Sequence, residues 1–145
     1  MNRLKPKKKI VEFLLLVTIY SYVKSSGVPS SADDLMLMKD QFAPTLTDID
    51  TLRTWLWRHK GRVIRRVGGH RTYRYELNKQ GVNRIKFLMF PFLKTAILLK
   101  KLGVPVGFDM IELCHILEDF AVTFEERLKL ADLLLEFRTT IPIGF

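Results

Sequence analysis

The sequence is short of several things that common function classes need. It has one cysteine, Cys114, so no disulfide can close within the chain, and a reducing compartment is the simpler setting. Its three histidines, His59, His70 and His115, form no metal spacing with that cysteine. Cys114 and His115 are adjacent, and neighbours on a helix point in different directions, so they make neither a dyad nor a chelate. Cys114 reads instead as a small buried apolar residue. There is no phosphate-cradling glycine loop and no nucleophile elbow, and Asp109, Glu112, Glu118 and Asp119 read as a solvated helix face rather than a hydrolytic centre. These absences argue against an enzyme and against a metal or other cofactor. The apolar run Ile10 to Val23 follows the basic stretch Lys5 to Lys9 much as in a signal peptide. It holds Glu12 and is shorter than the ~20 residues of a membrane span, so a buried first helix is expected. No internal repeat and no low-complexity run occurs.

The most telling absence is local. Across the 22 residues from Arg53 to Arg74 there is no acidic side chain, while eight are basic: Arg53, Arg58, Lys60, Arg62, Arg65, Arg66, Arg71 and Arg74. The whole chain has 145 residues, 48% hydrophobic and 27% charged, which is material for a folded core rather than for disorder. Its net charge of +9 points to an anionic partner. That charge is unevenly placed. Residues 1–100 carry 20 Lys and Arg against 7 Asp and Glu, a net of +13, whereas residues 101–145 carry 4 against 8, a net of −4. The split suggests a basic binding part followed by a separate assembly part.

In chain order, residues 1–9 form a basic arm, with Pro6 suited to a helix N-terminus. Ile10, Phe13, Leu14 and Val17 carry a helical spacing from about Lys7 to Ser25, and Leu15, Leu16 and Ile19 widen the apolar surface. A helix this apolar needs partners on more than one side. After the loop Ser25 to Ala32, Ser31 is an N-cap candidate for a short second helix that buries Leu35, Met36, Met38 and Phe42. Thr47 and Asp50 approximate a capping box for a third helix, Asp48 to about His59, with Ile49, Leu52 and Leu56 inside and Trp55 buried. Its other side shows Thr47, Thr51, Thr54 and Arg58, with Arg53 and Trp57 beside them.

Gly61 ends that helix. Val63 and Val67 then alternate with Arg65, and Tyr73, Tyr75 and Leu77 alternate with Arg74 and Glu76, the period of two strands. Gly68-Gly69 between them suits a tight hairpin turn. Asn78 can cap a further helix that Pro91 kinks or interrupts. A helix over Phe108 to Phe120 should bury Ile111, Leu113, Ile116 and Leu117. Thr123 should cap a last helix whose stripe Phe124, Leu128, Ala131 and Leu135 is apolar.

On these residues the chain resembles the winged helix-turn-helix DNA-binding proteins, in particular the small transcriptional regulators. The resemblance lies in Thr51-Leu52 with Leu56, the helix-ending Gly61, the strand Val63-Ile64-Arg65-Arg66, and the run Thr72 to Gly81 (TYRYELNKQG). That run looks like the return strand of a wing followed by the "Y-x-L-T-x-x-G" start of a helix, with Asn78 where Thr is usual. It covers about residues 8–88. It implies a mainly α fold with a two-stranded β-wing over residues 1–88, followed by a helical extension, residues 89–145, for dimerisation.

It also implies sequence-specific binding of double-stranded DNA by a cytoplasmic, or nucleoid-associated, regulator of transcription. Thr47, Thr51, Arg53, Thr54, Trp57 and Arg58 of the recognition helix would lie in the major groove. Arg62, Arg65, Arg66, His70, Arg71 and Arg74 of the wing would hold the backbone or the minor groove. A homodimer is expected, with the stripe of the last helix as the leading interface and the first helix second. No membrane and no metal partner is expected. Two other readings stay open: an interaction module whose basic wing docks acidic protein or RNA, and a membrane-surface protein using residues 5–23.

Overall fold

Ser31 and Asp34 show how local chemistry begins this fold. The Asp34 amide donates to the Ser31 hydroxyl at 3.1 Å, and the Ser31 amide donates back to the Asp34 carboxylate at 3.1 Å. That reciprocal cap starts a helix at Ala32 by satisfying two amides that no helical carbonyl can reach. The computed structural model describes residues 8–42, 48–69, 73–106 and 108–143. They form α1 (Lys8–Ser26), α2 (Ala32–Phe42), α3 (Ile49–His59), β1 (Ile64–Val67), β2 (Arg74–Leu77), α4 (Lys79–Lys101), α5 (Met110–Leu117) and α6 (Phe124–Thr139). A single 3-10 turn, Glu118–Phe120, follows α5. The fold is thus mainly helical with one antiparallel two-stranded sheet.

The chain divides into two compact units at Ile85 and Lys86, so α4 starts in one and continues in the other. In the first unit every residue of α1 from Phe13 to Ile19 is buried, which is why no single amphipathic face is visible there. Thr18, buried among them, returns its hydroxyl to the Leu14 carbonyl at 2.7 Å. The helix packs against α2 and β2. In α3, Leu52 and Leu56 are one turn apart and fully buried, each contributing about 1.5–3 kcal/mol of apolar burial.

Several expectations shift in detail. The N-cap of α3 is Asp48, whose carboxylate accepts the Thr51 amide at 2.7 Å. Thr47, expected in that role, lies outside the described residues. In β1 the buried side chain is Ile64, with Val63 half-buried in the preceding turn, because the strand begins one residue later than the valine spacing suggests. Among the described residues the ladder pairs Ile64 with Leu77 and ends with Val67 opposite Arg74; part of the connection, residues 70–72, lies outside them. Gly68 there has φ 93°, a conformation glycine adopts without strain. The sheet also has a neighbour that periodicity did not show. Ser30 exchanges both backbone hydrogen bonds with Tyr75 (2.9 and 2.7 Å), and its buried hydroxyl donates to the Tyr75 carbonyl.

Asn78 caps α4 as expected, accepting the Gly81 amide at 2.8 Å and donating to the Arg62 carbonyl at 3.2 Å. Pro91 does not interrupt α4, which runs unbroken over 23 residues. The ring sits on the exposed side, where the one carbonyl deprived of its donor, four residues earlier, can turn to solvent.

In the second unit, Asp109 caps α5 with hydrogen bonds from the amides of Ile111 and Glu112. Met110, Leu113, Cys114, Ile116 and Leu117 are buried, while Ile111 is exposed, contrary to its expected place inside. Thr123 and Glu126 form the full capping box of α6. That helix buries Leu130 and Leu133, and its expected apolar stripe faces outward. Among the described residues no helix is long and apolar enough to cross a membrane.

Candidate nucleic-acid interface

Because Leu52 and Leu56 turn inward, Asp50, Thr51, Arg53, Thr54, Trp57 and Arg58 are left on the exposed side of α3. The sequence led to the expectation of Thr51, Arg53, Thr54, Trp57 and Arg58 here; Asp50 is an addition, and Thr47 lies outside the described residues. Thr51, Thr54 and Arg58 are not on a flat surface. They line one wall of an open groove of about 840 Å³, shared with Asp50, Trp55 and His59 of α3, Val11 and Glu12 of α1, Arg62 and Arg84. Trp55, expected to be buried, is half-buried in this wall. It stacks on His59 with ring centroids 4.0 Å apart, and His59 Nδ1 lies 2.8 Å from the Trp55 carbonyl. Two acids line this groove: Arg84 meets Glu12 at 2.9 Å and neutralises it inside the protein, whereas Asp50 is exposed and, among the described residues, faces only Arg53, at 3.9 Å.

The arginines divide by what they already touch. Arg65 crosses the ladder to its register partner Glu76, with Nε 3.0 Å from the carboxylate. Arg74 reaches back to the loop before α2, donating to the Pro29 carbonyl at 2.7 Å and to Asp34 at 3.2 Å. Arg53 stands 3.9 Å from both Asp33 and Asp50, two loose and solvated pairs of little energetic weight. Arg58 and Arg62 have no ion-pair partner among the described residues. Arg62, assigned by sequence to the wing, sits in the turn before β1 and lines the groove with the α3 side chains. His70 and Arg71 lie outside the described residues.

Trp57 is 59% exposed and carries two cations. Lys60 Nζ lies 3.2 Å from its ring centroid and the Arg66 guanidinium 5.5 Å, while Arg66 also stacks on Tyr73 at 3.9 Å. The aromatic faces offset part of the repulsion between the two like charges. The Lys60 ammonium is held below its ordinary pKa, first by partial burial and then by the Arg66 charge. Sequence reasoning counted Lys60 among the basic residues without giving it a role. The available signal was its position three residues after Trp57, at the end of the helix. Tyr75 is buried and packs the hairpin on the domain.

Two basic clusters result: Arg58 and Arg62 line the groove with the Thr51 and Thr54 hydroxyls and Asp50, and Lys60 and Arg66 sit on the Trp57 ring. They can hold a chain of anionic groups and present hydrogen-bond donors between them. Among the described residues no group of three His, Cys, Asp or Glu side chains could hold a metal ion. Comparison with protein-family models, with curated proteins and with solved structures finds no match for this chain.

Proposed function

We propose that the chain binds double-stranded DNA as a winged helix-turn-helix transcriptional regulator, with α3 as the recognition helix and the β1–β2 hairpin as the wing. The order α1, Ser30 bridge, α2, α3, β1, β2 supports this reading, since it sets a helix and a hairpin side by side on one small core. The observation that carries it is the set of basic side chains without carboxylate partners. A fold that only needed solubility would lose nothing by pairing Arg58 and Arg62, yet both are left unpaired among the described residues.

In this reading Thr51, Thr54 and Arg58 read base edges in the major groove, where an arginine pairs bidentately with guanine. Arg62, Lys60 and Arg66 neutralise phosphates. Arg65 and Arg74, which have partners inside the protein, hold the hairpin in shape.

The test is binding to a random duplex pool over a salt series. The expected log–log slope is about −0.9 for each phosphate neutralised. Arg58→Ala should relax sequence preference, and Arg66→Ala should weaken binding to all duplexes alike. Absence of salt-sensitive duplex binding would overturn the proposal and favour a protein or RNA partner for the same basic surface.

A further inference from the structure

Helix α6 has two apolar faces, and the described residues cover one of them. Leu130 and Leu133 are buried, with Glu126, Leu134 and Phe137 half-buried around them. On the opposite side Phe124 is 77% exposed, Leu128 51% and Leu135 60%, and Ala131 is exposed between them. Their spacing is four, three and four residues, which repeats every seven. A straight seam of this kind is what pairs one helix with another. It runs about 16 Å at 1.5 Å per residue.

The flanks of the seam carry opposite charges. At 100° per residue, Arg127 and Arg138 fall on one side of the stripe, and Glu125 and Asp132 on the other, with Lys129 behind them and turned onto the Phe90 ring. Asp132 and Glu125 have no ion-pair partner among the described residues. Arg127 spends only Nε, on the Ala121 carbonyl at 3.0 Å, which leaves its outer nitrogens available. With Leu128 and Leu135 at the first core position of each heptad and Phe124 and Ala131 at the second, Arg127 flanks one heptad. Asp132, five residues on, flanks the next. In a parallel pair these two positions meet across the interface, Arg127 with Asp132 of the second copy, twice by symmetry. In an antiparallel pair the acidic flanks meet each other instead, Glu125 against Asp132.

We propose that the outward face of α6 pairs with α6 of a second copy of this chain, parallel and in register, through the Phe124, Leu128, Ala131 and Leu135 seam. Charge complementarity across the seam favours this occupant: Arg127 meets Asp132 of the second copy in a parallel pair, whereas an antiparallel pair sets acid against acid. The inference is independent of what the basic half of the chain binds.

The experiment is sedimentation equilibrium of the full chain across a concentration series. A reversible monomer–dimer equilibrium is expected, and Leu128→Asp should weaken it by about ten- to a hundredfold, the loss of one buried aliphatic side chain per copy. Leu128 faces outward, so this variant should retain the wild-type circular dichroism and melting profile. Leu135→Glu serves as a second seam variant if it does not. Asp132→Arg alone should weaken the dimer, and adding Arg127→Glu should restore it. Leu135→Cys reports direction: a parallel pair sets the two new thiols facing one another and oxidises to a covalent dimer, whereas an antiparallel pair keeps them about 16 Å apart. A chain that stays monomeric at every concentration overturns the proposal, as does a dimer indifferent to both seam variants. A dimer that the double charge exchange does not restore, and in which the introduced thiols form no bridge, overturns the parallel arrangement.

Discussion

The basic side chains of the helix–hairpin unit were equivalent as letters and are not equivalent as atoms. Arg74 has two acceptors across a loop, Pro29 and Asp34, and removing it leaves a half-buried carboxylate without its charged partner. Arg74→Ala should lower the unfolding free energy by about 1–2 kcal/mol, a figure reduced for the pair's solvent exposure, and urea denaturation reads it directly. Arg62→Ala should leave the urea midpoint unchanged and make the salt slope of duplex binding shallower by about one phosphate's worth. If Arg62→Ala unfolds the protein and Arg74→Ala does not, the division of roles is inverted. Asp34 adds a pH effect. Burial tends to raise its pKa, but hydrogen bonds from Ser31, the Tyr22 hydroxyl and the Arg74 charge outweigh that and hold it below its ordinary value. A depressed carboxylate contributes stability that is complete above its unfolded-state pKa and is lost as pH falls through the folded one. Stability should therefore decline below about pH 4, the ordinary aspartate range, and Asp34→Asn should make that decline shallower in urea midpoints taken along a pH series.

At the scale of elements, most of what was legible came from caps and breakers. Ser31, Asn78 and Thr123 each stand where their helix starts, and Gly61 where α3 ends, because a capping side chain acts on amides only two or three residues away. The hairpin strands were legible from alternation, while their first residue was not, since Val63 and Ile64 are equally good strand formers. The Ser30–Tyr75 pairing was invisible for a different reason: it joins residues 45 apart by backbone atoms, and no side-chain pattern records it. Gly81 gains a physical meaning from the structure. A Cβ there would lie 2.1 Å from the Val63 carbonyl oxygen, so the first turn of α4 is seated directly on the turn before β1. Gly81→Ala should cost about 1–3 kcal/mol in thermal or urea unfolding, as overpacked sites do. Gly61→Ala meets nothing within 4 Å and should cost less, through its φ of 80° alone. Equal losses from the two would mean that α4 is not seated so closely.

For the whole molecule, the division at Ile85 leaves the basic cluster entirely in the first unit, at a net +10, and the second unit near neutral at −1, so the boundary falls ahead of residue 100, where the sequence was divided by charge. What the sequence left ambiguous was which apolar residues face their own chain. Both faces of α6 are apolar, and burial is what separates Leu130 and Leu133 from Leu128 and Leu135. If both proposals hold, duplex binding and pairing are linked. The wild-type chain should then show a salt slope about twice that of monomeric Leu128→Asp, because each copy contributes its own phosphate contacts. Titration of both proteins against one duplex with two half-sites measures this, and identical slopes would mean that paired copies do not bind together.

The buried thiol of Cys114 has a practical corollary. It is 2% exposed, and burial, with Glu118 nearby, pushes its pKa up to about 11. At neutral pH roughly one molecule in ten thousand carries the thiolate that reacts with maleimides or iodoacetamides. The natural chain is thereby its own unreactive background for attaching probes. A cysteine placed at Gly69, where an added side chain meets open space, should accept a fluorophore at the hairpin loop with Cys114 left in place, and distances from that loop to a bound partner become measurable in an otherwise native protein.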